Sequence, residues 1–285
     1  MIHTTLIGAA DLAKLTGRPG VAVVDCRFDL ASPNTGRESY VSAHIPGAGF
    51  ADLNRDLSGP IGAQTGRHPL PEADRLAERL GQLGIGDDTQ VIAYDAGNGA
   101  FAARLWWLLR WLGHRQVAVL DGGFAAWTAL GAATESGDRP DGARAHARLT
   151  SRVAADAWLT SEQVLAALEE RGRLLVDARA PERFEGKVEP LDAVAGHVPS
   201  AVNFPYLRNL REDGRFLAAD ELRERWLRLL GDTKSSEVIA MCGSGVTACH
   251  NLLAMEAAGL PGAKLYAGSW SEWIRDPSRA VAQGS

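Results

Sequence analysis

The sequence predicts an α/β protein made of two similar halves, each a mostly parallel sheet flanked by helices. Three observations predict this class. The chain has 285 residues, which suits two domains of ~100–200 residues each. Four short patterns occur twice in the same order, and short apolar runs alternate with helical patterns along the chain.

The internal repeat is the strongest of these observations, because a repeat decides how the whole chain is divided. Four patterns of the first half return in the second at a spacing of 146–153 residues: VAVVDCR at 21–27 as LLVDAR at 174–179, AHIPGA at 43–48 as GHVPSA at 196–201, VIAYD at 91–95 as VIAMC at 238–242, and LDGGFAAW at 120–127 as YAGSWSEW at 266–273. The repeat predicts domains at 1–137 and 153–285, joined by a linker at 138–152 that is rich in Arg, Gly, Asp and Ala. Two unrelated α/β domains are the alternative.

The elements within each half follow from hydrophobic patterning. Apolar runs suited to strands buried on both faces lie at 91–94, 117–120, 174–176 and 238–241. Helical patterns lie at 101–112, 162–169 and 220–230. Ligands of such sheets bind beyond the carboxyl ends of strands, which draws attention to 95–100 and 242–247. The Trp-rich stretch at 106–111 has helical spacing and is predicted to lie in the core.

Composition excludes several classes of function. Hydrophobic residues make up 46% and charged residues 23% of the chain, as in ordinary globular proteins. The net charge of −5 argues against nucleic-acid binding, and no apolar run approaches the ~20 residues of a membrane span. The first residues lack the basic and apolar regions of a signal peptide, so we expect a cytoplasmic protein.

One of the three cysteines has the surroundings of a reactive thiol. Cys242 ends a predicted strand, and glycines within the next three residues free the backbone to curve before an apolar helix. Backbone N–H groups in such a loop form an anion-binding concavity that stabilises a thiolate. The predicted anion cradle consists of Gly243, Ser244, Gly245, Val246 and Thr247.

The alternatives for this loop are a buried structural cysteine and a cysteine phosphatase. A phosphatase needs an arginine about six residues past its cysteine to bind phosphate, and Ala248 stands at that place. The other thiols, Cys26 and Cys249, lack the position and the glycine loop of Cys242, so packing roles are predicted for both. The three cysteines and seven histidines show no spacing typical of zinc ligands.

Taken together, these motifs resemble the tandem-domain thiosulfate and 3-mercaptopyruvate sulfurtransferases of the rhodanese superfamily over nearly the whole chain. The resemblance implies a silent first domain, which agrees with Asp95 at the place of Cys242, because a carboxylate cannot form a persulfide. It also implies that a small-molecule donor gives sulfur to Cys242, and that a thiol such as thioredoxin, or cyanide, removes it in a ping-pong cycle. No metal or organic cofactor is implied. A non-catalytic sulfur-carrier or binding protein is the alternative.

The donor is predicted from the charge of the loop. Loops of the thiosulfate enzymes in this family carry cations, whereas Cys242–Thr247 has none and resembles the mercaptopyruvate enzymes. Arg183 matches the family's substrate-binding arginine, whose guanidinium can hold a carboxylate with two hydrogen bonds. The mercaptopyruvate enzymes have a second arginine nine residues later, where this chain has Asp192. Mercaptopyruvate is therefore the favoured donor, and thiosulfate is the alternative.

The resemblance also implies a Ser–His–Asp relay, of which this chain has two members. Ser244 and His68 match, but Asn54 holds the carboxylate position, and an amide cannot stabilise an imidazolium as a carboxylate does. His68 is retained as a candidate hydrogen-bond donor to substrate. Arg179 is a weaker substrate-binding candidate, since Arg27 repeats it in the silent half. The same symmetry predicts structural roles for two pairs: His44 with His197, and Asp25 with Asp177.

Overall fold

The computed structural model describes residues 2–138, 145–170 and 172–284. It divides the chain into two compact units. The first comprises Met1–Gly59, Pro71–Ala154 and Glu212–Phe216, and the second comprises Pro60–Leu70, Ala155–Arg211 and Leu217–Ser285.

The first unit contains a five-stranded sheet with helices around it. Its strands are Leu6–Ile7 (β1), Val21–Asp25 (β2), Gly49–Phe50 (β3), Gln90–Tyr94 (β4) and Val117–Leu120 (β5). Its helices are Ala9–Leu15 (α1), Thr35–Ser42 (α2), Ala73–Gln82 (α3), Ala102–Trp111 (α4) and Gly123–Ala129 (α5). The strand order is β1-β5-β4-β2-β3, and every neighbouring pair is parallel.

The second unit repeats this arrangement. Its strands are Trp158–Leu159 (β6), Leu174–Asp177 (β7), Val202–Asn203 (β8), Val238–Met241 (β9) and Lys264–Tyr266 (β10). Its helices are Ser161–Glu169 (α6), Pro181–Phe184 (α7), Ala219–Leu230 (α8), Thr247–Ala257 (α9) and Ser269–Trp273 (α10), with 3-10 turns at Tyr206–Asn209 and Ser235–Glu237. All strand pairs are again parallel, in the order β6-β10-β9-β7-β8.

The predicted fold class is confirmed, because each unit is a parallel sheet with helices around it. The strand order is the same in both sheets when the strands are matched along the chain, as the repeat predicts. The predicted strands and helices all form, with ends that shift by one residue at most. β4 and β9 are the central strands of the two sheets, and every residue of both is buried, as expected for strands covered on both faces.

Each unit has its own hydrophobic core against its sheet. The first core includes Ile92, Tyr94 and Trp127, and the second includes Ile239, Met241 and Trp273. Trp106, Trp107 and Trp111 of α4 are all buried, which confirms the core placement predicted for this stretch.

The compact units do not follow the chain order on which the predicted domains 1–137 and 153–285 rest. Segment 60–70 packs within the second unit, and segment 212–216 packs within the first, where the Phe216 N–H donates to Asp121. Within the predicted linker, 139–144 lie outside the described residues. The rest packs on the first unit, as in the bond from the Ala147 N–H to the Gly81 carbonyl.

Candidate active site

The predicted reactive loop lies at the carboxyl end of β9, where parallel sheets bind their ligands. Cys242 follows the last residue of β9 and is 2% exposed, and α9 begins five residues later at Thr247. Gly245 lies between them with φ of +77°, a conformation that L side chains rarely adopt. A Cβ atom there would collide with the Ala267 carbonyl oxygen, so glycine is required at this position.

The turn between β10 and α10 holds the loop from one side. The Cys242 N–H donates to Ser269 Oγ at 3.1 Å, and the Ser269 hydroxyl donates to the Tyr266 carbonyl at 2.9 Å. Ser269 has φ of +53°, which is strained for a residue with a side chain. Its counterpart in the first unit is Gly123, with the same φ. The second unit thus accepts strain in order to place a hydroxyl against the Cys242 backbone.

The backbone around Cys242 presents several N–H groups without acceptors. Among the residues that the structure describes, the N–H groups of Ser244, Val246, Thr247 and Ala248 donate no hydrogen bond. Loop N–H groups and the first turn of a helix together attract negative charge. The loop therefore has the backbone donors of an anion-binding cradle.

The equivalent loop of the first unit shows the same kind of cradle with an anion in it. Asp95 follows β4 as Cys242 follows β9, and its side chain is 1% exposed. One carboxylate oxygen accepts from the Gly97 and Gly99 N–H groups at 3.1 and 3.0 Å. The other accepts from Phe101 and Ala102 at 2.9 and 3.2 Å. In the first unit, a built-in carboxylate thus occupies the position to which four backbone donors point.

His68 lies beside the loop, since segment 60–70 belongs to the second unit. His68 Nδ1 is 2.7 Å from Ser244 Oγ, and both residues are buried. Asn54, the residue at the third relay position, is exposed in the first unit and its backbone N–H donates to Asp52. The structure brings together the predicted serine and histidine, and the relay role of the pair stays a prediction.

Arg183 lies in the short helix α7 and is held by two carboxylates. Its Nε and Nη2 donate to Glu189 at 2.7–3.2 Å, and Nη2 also donates to Asp192 at 3.2 Å. Burial raises the pKa of Glu189, but hydrogen bonds from Arg183 and from the Leu191 and Asp192 N–H groups outweigh burial and hold that pKa below its ordinary value.

Asp192 also binds a residue that the sequence did not single out. Its Oδ1 pairs with Arg67 Nη1, while Oδ2 accepts from Arg183. Arg67 lies in the second unit, where its backbone N–H donates to Ser271 Oγ at 3.0 Å. The preceding Gly66 permits this approach, since a Cβ atom there would lie 2.5 Å from the Gly268 carbonyl oxygen.

Arg179 has the contacts of a structural residue. It donates to both carboxylate oxygens of Asp177, to Glu189 and to the Gly196 carbonyl, and its side chain is 1% exposed. Arg27 and Asp25 form the same buried pair in the first unit. These contacts favour the structural interpretation of Arg179 over substrate binding.

The paired histidines likewise make structural contacts. His44 Nδ1 lies 2.8 Å from the Tyr40 carbonyl and its ring stacks on Tyr40. His197 Nδ1 lies 2.8 Å from the Phe184 carbonyl and its ring stacks on Phe184.

The remaining cysteines are buried and free. Burial raises the pKa of Cys26 well above its ordinary value, and the nearby Asp25 and Asp95 carboxylates raise it further, so this thiol stays protonated and unreactive. Cys249 lies inside α9 with its Sγ 3.2 Å from the Gly245 carbonyl. These surroundings agree with the packing roles predicted for both.

Three contributors to the site were absent from the sequence-based predictions: Ser269, Arg67 and Glu189. The sequence could have pointed to Ser269, because the repeat aligns it with Gly123 and a serine in place of a glycine can indicate a backbone conformation that favours glycine. Arg67 is adjacent to His68, but its pairing with Asp192 joins residues 125 positions apart. In the described ranges, no group of three or more His, Cys, Asp or Glu side chains is arranged to hold a metal ion. No described helix is long and apolar enough to cross a membrane.

Comparison with known proteins gives consistent matches over the whole chain. A family model described as Rhodanese-like domain matches residues 8–130 and again 160–276. A probable 3-mercaptopyruvate sulfurtransferase from Pseudomonas aeruginosa is 48% identical, with 100% of both chains covered. The thiosulfate sulfurtransferase of Bos taurus is 38% identical, over 93% of this chain and 90% of the bovine one. The crystal structure of SseA from Escherichia coli, a 3-mercaptopyruvate sulfotransferase, superposes with a TM-score of 0.81 at 33% identity, over 94% of this chain and 100% of that one.

Proposed function

The chain belongs to the family of rhodanese-like domain proteins and is a sulfurtransferase, and we propose that it carries the transferred sulfur as a persulfide on Cys242. In this proposal the second unit is catalytic, while the first is a silent copy in which Asp95 replaces the thiol.

The observation that carries the proposal is the contrast between the two loops. Four backbone N–H groups converge on the Asp95 carboxylate in the first copy. Four N–H groups around Cys242 lack acceptors among the described residues of the second. A terminal persulfide sulfur is an anion one bond beyond the cysteine sulfur, so it would supply in the second copy the charge that Asp95 supplies in the first.

The first half-reaction follows from the nucleophilicity of a thiolate. The Cys242 thiolate attacks the sulfur of 3-mercaptopyruvate, the S–S bond forms, and the C–S bond breaks. The electron pair of the broken bond remains on the methylene carbon as an enolate. The enolate takes the proton of the transferred thiol, leaving pyruvate and the Cys–S–S⁻ anion.

The second half-reaction returns the enzyme to its starting state. With cyanide, the carbon lone pair attacks the outer sulfur, thiocyanate leaves, and the S–S electron pair returns to the Cys242 thiolate. A thiol acceptor, small or on a protein such as thioredoxin, takes the outer sulfur in the same way. These acceptors, like a cytoplasmic location, are proposals that rest on the sequence.

We favour 3-mercaptopyruvate as the donor because Arg183 has the planar guanidinium that suits a carboxylate and the loop itself carries no cation. Thiosulfate is the second candidate. Its support is the second guanidinium, Arg67, since a dianion gains from two cations. With thiosulfate, the Cys242 thiolate takes the outer sulfur and sulfite leaves with the electron pair of the S–S bond.

Thiocyanate formation from cyanide, measured with each donor, tests the proposal. We expect the wild-type protein to turn over both donors, with the higher kcat/KM for mercaptopyruvate. Cys242→Ser should abolish turnover, while Cys26→Ala should retain it, because Ala178 fills the same place in the second copy. Full activity in Cys242→Ser would refute the persulfide, and a higher kcat/KM for thiosulfate would reverse the order of the donors.

A further inference from the structure

Arg67 and Arg183 share one carboxylate yet keep part of each guanidinium unused. Arg183 binds Glu189 and Asp192 through Nε and Nη2, and Arg67 binds Asp192 through Nη1. In the described part of the chain, Arg183 Nη1 and Arg67 Nη2 donate no hydrogen bond to an acceptor. In each arginine, the N–H groups on one side of the guanidinium bind carboxylates, and N–H donors on the other side remain available.

Those two unused nitrogens lie next to the loop that bears Cys242. A Cβ atom built on Gly243 would be 2.9 Å from Arg67 Nη2 and 3.4 Å from Arg183 Nη1. The side chains of Arg67 and Arg183 are 24% and 19% exposed, so both can meet a ligand from solvent. Two guanidinium groups thus converge on the residue adjacent to the thiol.

Asp192 holds the two guanidinium groups in this position. Its side chain is 4% exposed, and a buried carboxylate is stable only with cationic or hydrogen-bonding partners. It has both arginines as partners, one on each oxygen. Asp192 therefore orients the unused edges of both guanidinium groups toward Gly243.

We propose that Arg67 is a second ligand for the anionic group of the sulfur donor, acting beside Arg183, and that Asp192 is its positioning residue. The proposal deepens the sulfurtransferase function proposed above and rests on it for the identity of the ligand. It gives Asp192 a role that the sequence could not suggest. The second cation of the donor site comes from segment 60–70 and is held by the acidic residue that replaces an arginine in the loop after α7.

Alkylation of Cys242 tests the proposal without requiring sulfur transfer. Iodoacetate carries a carboxylate one carbon from its reactive centre, whereas iodoacetamide is neutral and nearly the same size. The ratio of their rates at Cys242 therefore measures attraction for an anion. We expect Arg67→Gln to lower this ratio about tenfold, the worth of one charge-assisted hydrogen bond. Arg67→Lys should lower it less, because the charge is kept and the planar fork is lost.

A matched control is Arg228→Gln, which breaks an exposed ion pair with Glu224 on α8 and should leave the ratio unchanged. Asp192→Asn should lower the ratio although it removes a negative charge, because Arg67 loses its partner. A ratio that stays at the wild-type value in Arg67→Gln would overturn the proposal. A ratio that rises in Asp192→Asn would also overturn it, because loss of a negative charge without loss of positioning favours the anionic reagent.

Steady-state kinetics separate this inference from the proposed function. Arg67→Gln should raise the KM for mercaptopyruvate and for thiosulfate about tenfold or more. The kcat at saturating donor should change little, because the lost contact serves donor binding. An unchanged KM in an active Arg67→Gln variant would refute the ligand role of Arg67 and leave the proposed function intact. Absence of sulfur transfer by the wild-type protein, with the alkylation ratio still dependent on Arg67, would instead refute the proposed function and leave the anion site standing.

Discussion

Asp95 offers a direct measurement of what the loop N–H groups contribute. Asp95→Ala removes the carboxylate that accepts from four backbone donors, two on the buried residues Gly99 and Ala102 and two on the half-buried Gly97 and Phe101. A buried donor left unpaired costs about 1–3 kcal/mol, and water entering the vacated space offsets part of the total. We expect a loss of about 3 kcal/mol in the free energy of unfolding, measured by urea denaturation.

Chemical rescue makes this prediction sharper. If the loop binds negative charge, formate should enter the vacated cradle of Asp95→Ala, and at ten times its Kd it should restore about 1.4 kcal/mol. Asp95→Asn should be destabilised as well, because its amide turns a donor toward the N–H groups. Asp88→Ala is the control, since this exposed aspartate should change stability by under about 0.5 kcal/mol. A loss below about 1 kcal/mol in Asp95→Ala, without stabilisation by formate, would refute the cradle.

Two further predictions concern the second unit. Ser269→Ala keeps the strained φ and loses two hydrogen bonds, so it should lower the free energy of unfolding by about 1–2 kcal/mol, and Ser269→Gly should be milder by about 1 kcal/mol because glycine tolerates the backbone. Equal losses in urea denaturation would contradict the strain. The pKa of Glu189 lies below its ordinary value of 4.5, so its stabilising contribution is complete above that pH and is lost as the pH falls through the lower, folded-state pKa. The stability difference between wild type and Glu189→Gln should therefore be constant from pH 7 to about 5 and shrink only below 4.5. Shrinkage near neutral pH would contradict the ion pair with Arg183.

The repeat made most of the fold predictable. Strands 117–120 and 238–241 are continuous apolar runs, and this pattern is typical of strands that a parallel sheet buries on both faces. The same alignment predicted a reactive loop at Cys242 and a silent position at Asp95. Local patterns suffice for these features because strand, glycine turn and helix are adjacent in sequence.

Other features depend on contacts that local patterns do not encode. The packing of segment 60–70 in the second unit requires Gly66 to approach Gly268, some two hundred residues away. The pairing of Arg67 with Asp192 joins residues 125 positions apart, and neither residue stands in a local pattern that predicts it. The strain at Ser269 is a property of backbone angles, which the comparison with Gly123 alone could have suggested.

The mass of the protein after exposure to a donor tests the persulfide proposed at Cys242 most directly. After treatment with 3-mercaptopyruvate or thiosulfate and removal of the donor, the wild-type protein should gain about 32 Da, the mass of one sulfur atom held as the covalent intermediate. Peptide mapping should place that sulfur on Cys242, and cyanide should remove it. Cys242→Ser retains Cys26 and Cys249 and should gain no mass. A gain in Cys242→Ser, or none in the wild-type protein with either donor, would contradict a persulfide at this residue.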